Sequence, residues 1–440
     1  MTLKLGCIAD DLTGATDLAN NLVRQGMRVV QTIGVPSAHV ADVDAVVVAL
    51  KSRTAPVEDA VRQSLAAARW LLEQGAPQLY FKVCSTFDST PQGNIGPVAQ
   101  ALAALVQAPI VPVTPAFPEN GRTVYKGHLF VGDQLLSDSP MCQHPLTPMH
   151  DASLVRVLQA QLDPAHGCTQ VGLVAHEAVR AGVAAVQERL QMLRSQGCAM
   201  AIVDAIHNDD LHTLAQACRA LPLWVAGSGV AIGIPALHCL QPGAEAALLP
   251  AARGACAVVS GSCSTATQAQ VAHFIAAGGA AFALDPLRLA AGDDLVAQAL
   301  AFAAPHLGAQ PILVYATASA AQVRAAQAQL GVQHAGALVE EALAAVAAGL
   351  VARGVGRLLV AGGETSGACV QALGVTRLRI GAQIDPGVPW CHAADAAAGR
   401  GLHLALKSGN FGGTDFFSRA FVALAAAPCA TVSAPAATAR

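Results

Sequence analysis

The feature that most constrains the fold is an apolar run that ends in two glycines and two hydroxyl residues. Residues 358–361 are Leu-Leu-Val-Ala, which predicts a buried strand, and Gly-Gly-Glu-Thr-Ser-Gly follows at 362–367. Glycine lets the backbone turn sharply and approach a ligand closely. We expect Thr365 or Ser366 to cap a helix over residues 368–373. The first N–H groups of such a helix point at one spot, where an anion fits.

This turn matches neither of two common nucleotide-binding sequences. No Gly-Lys-Ser/Thr follows the glycines, and the G-x-G-x-x-G pattern is missing. The interpretation depends on two similar turns, at 260–267 after the apolar residues 256–259 and at 407–413 after residues 402–406. Several strand ends of this kind in the second half of the chain predict phosphates that are bound largely by backbone amides.

Apolar strand patterns alternate with helical patterns along most of the 440 residues. This predicts an α/β protein with two domains, each a mainly parallel sheet flanked by helices, with the active site in the interdomain cleft. We place the domains at 1–240 and 241–425 and expect a frayed, low-complexity tail at 426–440. The pattern also predicts one strand over 124–131 and one helix over 178–196.

Composition argues against several functional classes. Charged residues make up 12% of the chain, aromatic residues 4%, and the net charge is -3, so we expect no nucleic-acid partner. The N-terminus has no signal-peptide pattern, and polar residues interrupt every apolar stretch before it could span a bilayer, which predicts a cytoplasmic protein that binds no membrane. The hydrophobic share of 53% is compatible with a homo-oligomer. Twelve scattered cysteines and fourteen histidines give no clustered metal-ligand spacing.

The first half of the chain places polar groups at predicted strand ends. Asp10 and Asp11 follow the strand at residues 3–9, where ligands of open α/β sheets bind. We expect the two carboxylates to point apart, one accepting a proton from a substrate hydroxyl and the other capping the next helix or binding metal. Arg53, at another strand end, can bind a carboxylate through two hydrogen bonds. Residues 84–90 carry a dense set of hydroxyls and carboxylates, which suits a polyhydroxylated ligand.

The free energy that a helix terminus can contribute limits the hypothesis that these turns alone bind phosphate. A helix terminus stabilises an exposed anion by roughly 0.3–1 kcal/mol. Binding at sub-millimolar strength requires about 5 kcal/mol. Directed N–H bonds, a cation and Lys407 must therefore supply the remainder, and a magnesium–nucleotide complex is the expected ligand. A polyol site in one half and a phosphate site in the other predict phosphoryl transfer.

Six segments together resemble the four-carbon acid-sugar kinase family, in the family's order and over nearly the whole chain. They are residues 8–17, 82–90, 115–122, 258–262, 362–367 and 407–412. The resemblance implies ATP-dependent phosphorylation of the terminal hydroxyl of a four-carbon acid, with the closest likeness to members that act on a 3-oxo acid. It also implies an N-terminal substrate domain and a C-terminal nucleotide domain, with ATP and Mg2+ as cofactors.

The resemblance also assigns residues to each site. Asp11 or Asp10 is the expected general base, and Arg53 or Arg122 the expected ligand of the substrate carboxylate. The acid-sugar site is expected to comprise Thr13, Asp17, Arg53, Lys82, Ser85, Asp88, Asn120 and Arg122. The ATP site is expected to comprise Ser260, Ser262, Ser264, Gly362, Gly363, Glu364, Thr365, Ser366, Lys407 and Gly409. No direct metal motif is present, so Mg2+ is expected to arrive with ATP.

Two other functions remain open at this stage, and a third is disfavoured. A threonate or erythronate kinase of the same family differs from a 3-oxo acid kinase by the oxidation state of one carbon. A non-catalytic sugar-acid sensor would bind its ligand without turnover. An NAD-dependent dehydrogenase requires a dinucleotide glycine pattern, which the sequence lacks.

Overall fold

The computed structural model describes residues 3–143, 147–167, 170–394, 396, 399, 401–427 and 429. The chain separates into two compact units between Gly243 and Ala244. The boundary predicted at 240/241 lies close to this division. The predicted tail at 426–440 lies outside the described residues, apart from 426, 427 and 429.

Unit 1 is an α/β layer structure built on a parallel sheet. The strands of this sheet are β1 (Leu5–Ala9), β2 (Val29–Ile33), β3 (Ala45–Ala49), β4 (Leu79–Lys82), β5 (Val111–Thr114), β9 (Val171–Val174), β10 (Met200–Val203) and β11 (Leu223–Ala226). A small antiparallel sheet contains β6 (Arg122–Tyr125), β7 (His128–Val131) and β8 (Gln134–Leu135). The helices are α1 (Leu12–Arg24), α2 (Val57–Glu73), α3 (Ile95–Leu105), α4 (Leu154–Gln161), α5 (His176–Ala181), α6 (Val183–Ser195) and α7 (Asn208–Ala217).

The large sheet has the order β2-β3-β1-β4-β11-β5-β10-β9. Every residue of β1 is buried, as expected for a parallel strand covered on both faces. From β1 the chain moves first to one side, through β2 and β3, and then to the other side, starting with β4. The carboxyl ends of β1 and β4 therefore flank a topological switch point, the usual ligand position in such sheets.

The small sheet corrects the prediction of one strand over 124–131. The backbone turns at Lys126 and Gly127, which have φ of 51° and 72°, so the segment forms two antiparallel strands. The buried carboxylate of Asp204 stabilises this turn by accepting hydrogen bonds from the N–H groups of both residues, at 2.6 and 2.8 Å. Sequence periodicity could not indicate a partner almost eighty residues away.

The single helix predicted over 178–196 is also wrong. The structure has two helices, α5 and α6, which are separated at Gly182. Gly182 has φ of 104°, a conformation that favours glycine and that ends the first helix. The apolar pattern continues across the break, which is why the pattern suggested one helix.

Unit 2 repeats the same architecture with an antiparallel extension. Its strands are β12 (Ala255–Ser260), β13 (Ala280–Ala283), β14 (Ile312–Tyr315), β15 (Val355–Ala361), β16 (Arg377–Asp385), β17 (Val388–Ala393) and β18 (Leu402–Lys407). Its helices are α8 (Thr265–Ala276), α9 (Pro286–Ala290), α10 (Leu295–Ala303), α11 (Ala320–Leu330), α12 (Val332–Ala352), α13 (Gly363–Ala372) and α14 (Phe416–Ala426).

The sheet of unit 2 has the order β13-β14-β12-β15-β18-β17-β16. The pairs from β13 to β18 are parallel, and β17 pairs antiparallel with both β18 and β16. As in unit 1, the chain leaves the first strand to one side and later returns on the other side. The switch point here lies between the carboxyl ends of β12 and β15. The two-domain α/β class with mainly parallel sheets is therefore confirmed.

The helix α12 is long and apolar enough, by length and composition, to cross a membrane. It packs on β12, β14 and β15 and buries Leu343, Val346 and Leu350 completely. A core helix of an α/β layer has the same composition for this reason. It is the one helix with these properties among the described residues.

Candidate functional site

The carboxyl end of β1 carries an aspartate pair that shares one arginine. Arg53 donates from Nε and Nη2 to the two oxygens of Asp10, at 2.9 and 2.8 Å. The same Nη2 donates to Oδ1 of Asp11 at 2.7 Å. The expectation that the two carboxylates point apart is therefore wrong, because one guanidinium bridges both.

The two aspartates differ in their remaining contacts and in accessibility. Asp11 is the N-cap of α1: its Oδ1 accepts from Gly14 N at 3.1 Å, and its Oδ2 accepts from Thr13 Oγ1 at 2.9 Å. Burial opposes ionisation of Asp11, but Arg53, Lys82 and these hydrogen bonds together lower its pKa. Burial raises the pKa of Asp10, against the effect of Arg53. The Asp11 side chain is 24% exposed and that of Asp10 is 6% exposed, so a ligand reaches Asp11 more easily.

Arg53 is fixed by contacts on both sides. The Asn94 side chain donates to the backbone oxygens of Ser52, Arg53 and Ala55, at 2.7, 3.1 and 2.9 Å. Asp88 Oδ2 lies 3.7 Å from Arg53 Nη1. The guanidinium is thus committed to carboxylates of the protein itself.

Lys82 brings a buried cation to the same strand ends. It ends β4, pairs with Ala9 of β1 and is only 2% exposed. Its charge acts on Asp10, Asp11 and Asp17, yet its Nζ makes no hydrogen bond or ion pair with any described residue. Gly14 allows this approach, since a Cβ at that position would lie 2.7 Å from Nζ. A buried amine with free donors suits an anionic or carbonyl ligand.

Asp17, on the second turn of α1, is a further buried carboxylate. Its Oδ2 accepts a hydrogen bond from the Ser228 hydroxyl, and its Oδ1 has no hydrogen-bond partner among the described residues. The side chain of Asn21 donates to Ser228 O at 2.9 Å, which holds the serine in place. Burial raises the pKa of Asp17 to about 6, although Lys82 and Ser228 favour the charged form.

The loop before β6 and the first residue of β6 each supply one more unpartnered donor. Within the described part of the chain, Asn120 Nδ2 and Arg122 Nε are buried without a hydrogen-bond partner, while Arg122 Nη1 donates to Asn120 O. The charge of Arg122 acts on Asp17. Unit 1 therefore brings most of the predicted acid-sugar residues to one end of its sheet. Ser85 follows β4 on the same side, and its side chain makes no hydrogen bond with the residues that the structure describes.

Unit 2 brings its three glycine-containing turns together. Gly261 N and Ser262 N both donate to Ala361 O, at 3.0 and 3.2 Å, and Gly362 N donates to Lys407 O at 2.8 Å. The turns after β12, β15 and β18 are thus joined through their backbones. All the predicted ATP-site residues lie on or beside these turns.

The turns approach one another so closely that a side chain would not fit at two of their glycines. A Cβ at Gly261 would lie 2.2 Å from Thr365 Oγ1, and one at Gly409 would lie 2.6 Å from Ser262 Oγ. Ser264 Oγ donates to Gly409 O at 2.5 Å, and Ser262 Oγ donates to Ser264 Oγ at 3.3 Å. Glycine is required at these positions for space.

Helix α13 begins earlier than predicted. Its first residue is Gly363 and its N-cap is Gly362, with φ of 126° and no side-chain cap. Thr365 and Ser366 therefore do not cap the helix but lie in its first turn. Ser366 N donates to Gly362 O in the first hydrogen bond of the helix. The N–H groups of residues 363–365 lie before this bond. Ser366 Oγ is buried, and no described residue accepts or donates a hydrogen bond there. An uncapped helix start with a glycine N-cap fits phosphate oxygens.

Lys407 is fully buried and bonded to the loop that follows it. Its Nζ donates to Thr267 Oγ1, Ser408 O, Gly409 O and Phe411 O, at 3.0 to 3.2 Å. Burial lowers its pKa to about 7. In this structure Lys407 therefore holds the Gly409 loop, and its donors are engaged with the protein.

A cavity of about 560 Å3 adjoins these turns and includes Gly261, Glu364 and Thr365 in its wall. Ser260, fully buried at the end of β12, is held beside it by a 2.7 Å hydrogen bond with Thr317. A smaller cavity of about 310 Å3, lined by Leu249 and Trp390 among others, shares no residue with the turns.

The chain offers no metal cage of its own in the residues that the structure describes, where no three His, Cys, Asp or Glu side chains cluster suitably. Mg2+ commonly binds through substrate phosphates and only one or two carboxylates. The residues present thus fit a cation that arrives with the triphosphate, and Glu364 is the carboxylate nearest in sequence to the glycine turn.

Comparisons with known proteins agree with this division. A sugar-binding N-terminal domain model matches residues 5–234, and a nucleotide-binding C-terminal domain model matches residues 257–417. The chain is 57% identical to a 3-oxo-tetronate kinase of Cupriavidus necator, over 94% of this chain and 96% of that protein. The chain belongs to the four-carbon acid-sugar kinase family.

Two further relatives extend this result. A 3-oxo-tetronate kinase of Pseudomonas fluorescens is 55% identical over 96% of this chain and 97% of that protein. A solved Salmonella typhimurium LT2 protein, described as a tRNA synthase, is 42% identical, with a TM-score of 0.84 over 95% of this chain and 99% of that one. The fold is thus shared over 95% of this chain.

Several residues that shape the two sites were not predicted from sequence. In unit 1 they are Ser228, which contacts Asp17, and Asn94, which holds the Arg53 loop. In unit 2, Thr267 donates to Gly409 O at 2.9 Å, and the Gln270 side chain donates to three backbone oxygens of residues 411–413. Thr267 and Gln270 are three apart on α8, but nothing in their spacing indicates which loop they contact.

The first prediction concerns the pH dependence contributed by Asp17. Its pKa is raised from 3.8 to about 6, so the folded wild-type protein loses stability as pH rises between these values. A shift of this size corresponds to about 3 kcal/mol. Asp17→Asn removes the titration, so its unfolding midpoint should rise relative to wild type as pH increases from about 4 to 7. Thermal melts across this range measure the difference, with Asp59→Asn on the surface as control. A difference in unfolding midpoint between Asp17→Asn and wild type that stays constant from about pH 4 to 7 contradicts the prediction.

The second prediction concerns the Gly409 loop. Thr267→Val keeps the shape of the side chain but removes the hydrogen bond that Thr267 Oγ1 donates to Gly409 O and those it accepts from Lys407 Nζ and Ser264 Oγ. One hydrogen bond of this kind contributes about 1 kcal/mol, so nucleotide affinity should fall roughly fivefold while the KM for the acid stays constant. ADP calorimetry measures the effect. Thr265→Val, at an exposed position on the same helix, is the matched control. Unchanged ADP affinity in Thr267→Val would show that the loop does not contact nucleotide.

Proposed function

We propose that this chain is a 3-oxo-tetronate kinase that transfers the γ-phosphoryl group of ATP to the terminal 4-hydroxyl of a four-carbon 3-oxo acid. The observation that carries the proposal is 57% and 55% identity, over nearly the whole chain, to two proteins named 3-oxo-tetronate kinase. The geometry supports the same chemistry, with a polar acid-binding cluster in unit 1 and an anion-binding set of turns in unit 2. We place the reaction in the cytoplasm, where ATP is available.

In the proposed reaction, the 4-hydroxyl oxygen forms a bond to the γ-phosphorus while the bond from that phosphorus to the ADP oxygen breaks. The hydroxyl proton passes to Asp11. Protein catalysis of such transfers consists mainly of positioning and charge neutralisation. ATP, bound with Mg2+, supplies the phosphoryl group, and the turns around Gly362 and Gly409 orient it.

Asp11 is the stronger candidate for the general base. Both oxygens of Asp10 accept hydrogen bonds from Arg53, and its side chain is only 6% exposed. Asp11 is more accessible, and a single Arg53 nitrogen contacts it. Arg53, which both aspartates share, then positions Asp11 and, together with Lys82, keeps it ionised.

Arg122 is the stronger candidate for the substrate carboxylate. Arg53 is committed to three carboxylates of the protein, whereas Arg122 Nε and Asn120 Nδ2 are buried donors without partners in the described chain. Buried donors are normally hydrogen-bonded, so unpartnered ones at a strand-end site indicate a missing acceptor. A carboxylate supplies such acceptors, with Lys82 Nζ as a third donor nearby.

The proposed substrate is tested by comparing acceptors. We expect ATP turnover with 3-oxo-tetronate to exceed turnover with threonate or erythronate at least a hundredfold in kcat/KM, measured by coupled ADP release across the stereoisomers. Higher kcat/KM with a reduced acid would make the chain a threonate or erythronate kinase. Binding of the acid without any ADP release would indicate the non-catalytic sensor.

The proposed base is tested by Asp11→Asn, which retains an N-cap for α1 because asparagine caps helices well. We expect kcat to fall at least a hundredfold, since the proton acceptor is lost, while ADP affinity hardly moves. Asp10→Asn and Arg122→Gln are matched comparisons. Arg122→Gln should raise the KM for the acid at least tenfold with a smaller effect on kcat. Wild-type kcat in Asp11→Asn would refute the base assignment.

A further inference from the structure

One side of α1 carries three polar residues that contact two distant parts of unit 1. Asp17, Asn21 and Arg24 are spaced four and three residues apart, so their side chains share one side of the helix. Asp17 accepts a hydrogen bond from the Ser228 hydroxyl, and Asn21 Nδ2 donates to Ser228 O at 2.9 Å. Asn21 Oδ1 accepts from Arg24 Nη1 at 3.2 Å. These three residues, the α1 stripe, are therefore linked to one another by hydrogen bonds.

The end of the α1 stripe holds the segment that carries two of the proposed substrate donors. Arg24 donates from Nη1 and Nη2 to the two oxygens of Glu119, at 3.2 and 3.1 Å. Glu119 lies in the short helical turn Pro118–Asn120. Asn120 Nδ2 and Arg122 Nε are buried and have no hydrogen-bond partner among the described residues. Glu119 thus attaches the chain to α1 directly beside one of these donors.

We propose that Arg24 and Glu119 are positioning residues for the acid substrate, because their ion pair holds the donors of Asn120 and Arg122 beside Asp17. The inference rests on the proposed function, and in particular on the assignment of Arg122 to the substrate carboxylate. It adds two residues that neither predicted site contains.

The segment 117–122 is short and closed, so a contact at Glu119 also fixes the donors. Phe117 N donates to Arg122 O at 2.8 Å, and Arg122 N donates to Phe117 O at 3.1 Å. Asn120 N donates to the same oxygen of Phe117 at 2.9 Å. A displacement of Glu119 therefore moves both donors. Hydrogen bonds keep N···O distances of about 2.7–3.2 Å, so a small displacement is enough to weaken those to the ligand.

The turn after β11 brings the same segment close to Asp17. A Cβ at Gly229 would lie only 2.3 Å from Ala116 O, so the two backbones are in direct contact. Ser228, next to that glycine, donates to Asp17. The charge of Arg122 also acts on Asp17. Helix α1, the segment 117–122 and the turn after β11 therefore meet around one buried carboxylate.

A purely stabilising role for the ion pair is the simpler explanation, and its exposure disfavours that role. The side chains of Arg24 and Glu119 are 29% and 23% exposed, and ion pairs that water reaches contribute little to folding stability. Arg24 also lies in the last turn of α1, where a cation interacts favourably with the helix dipole. That effect requires no contact with Glu119. Loss of the pair should therefore leave the fold intact.

The proposal is tested with Arg24→Met and Glu119→Ala in the full chain. Methionine keeps the apolar part of the arginine side chain but removes its donors. We expect each variant to raise the KM for 3-oxo-tetronate about fivefold, because hydrogen bonds to the C1 carboxylate are weakened. The carboxylate lies at the opposite end of the acid from the 4-hydroxyl, so kcat and the KM for ATP should stay within about twofold of wild type.

Two combinations show whether the residues act through one contact and through Arg122. The double variant should raise the KM no more than either single variant, because both remove the same ion pair. In an Arg122→Gln background, Glu119→Ala should change the KM by less than about twofold, since the main donor that it positions is already lost.

Arg156→Met is the matched control. Arg156 on α4 is exposed and donates to both oxygens of Asp151, at 2.8 and 2.6 Å, so the variant removes an ion pair of the same kind away from the site. It should keep the wild-type KM. Thermal melts and ADP calorimetry of every variant separate a local displacement from a general loss of structure.

The inference is overturned by a wild-type KM in Arg24→Met and Glu119→Ala, by an equal rise in Arg156→Met, or by a full additional rise in the Arg122→Gln background. A loss of thermal stability and kcat that accompanies the change in KM would also overturn it. The proposed function fails by a different result, the absence of 3-oxo-tetronate phosphorylation in the wild-type protein, so the two failures are distinguishable.

Discussion

The constraint on which both sites depend is the position of one central parallel strand in each unit. Parallel strands are joined by crossovers, and when successive crossovers leave the first strand on opposite sides, a crevice opens at its carboxyl end. In unit 1 this first strand is β1, with Asp10 and Asp11 at its end. In unit 2 it is β12, followed by the Ser260–Gly261 turn. The same topology thus produces a carboxylate site in one unit and an anion site in the other, and only the side chains at the strand ends differ.

Buried charge is the main energetic cost of the unit 1 site. Asp10, Asp17 and Lys82 are each less than a tenth exposed. Removing one partner from such a cluster leaves an uncompensated charge and commonly costs several kcal/mol. Arg53 neutralises the aspartates of the β1 end, whereas Asp17 remains only partly compensated, and burial raises its pKa to about 6. The ionised Asp17 side chain therefore lowers the stability of the fold, and such destabilising residues are typically retained for binding or catalysis.

Strand ends could be predicted from sequence because apolar runs followed by glycine or aspartate are local signals. Asp10 and Gly362 were found in this way, whereas Lys82 was assigned from the resemblance to the family; the parallel sheet of unit 1 then places Asp10 and Lys82 at neighbouring strand ends. The long-range contacts could not be predicted. The sharing of Arg53 by Asp10 and Asp11, the role of Asp204 at the Lys126–Gly127 turn and the attachment of Thr267 to Gly409 depend on how distant segments meet. Hydrophobic periodicity indicates which face is buried but not which partner covers it.

The distribution of donors and acceptors in unit 1 also bears on the oxidation state of the substrate. A carbonyl at C3 only accepts hydrogen bonds, whereas a hydroxyl at C3 also donates one. The described groups without partners near the β1 end are mainly donors, on Lys82, Asn120 and Arg122. Two buried acceptors there also lack a partner among the described residues: Asp17 Oδ1, on a carboxyl that takes up a proton below about pH 6, and Gln31 Oε1, whose side chain donates to Leu12 O. An excess of donors matches a carboxylate together with a carbonyl. A hydroxyl at C3 would compete less well there, because its proton would have to go to buried Asp17 or to Asp11, whose oxygens already accept hydrogen bonds from Arg53, Gly14 N and Thr13.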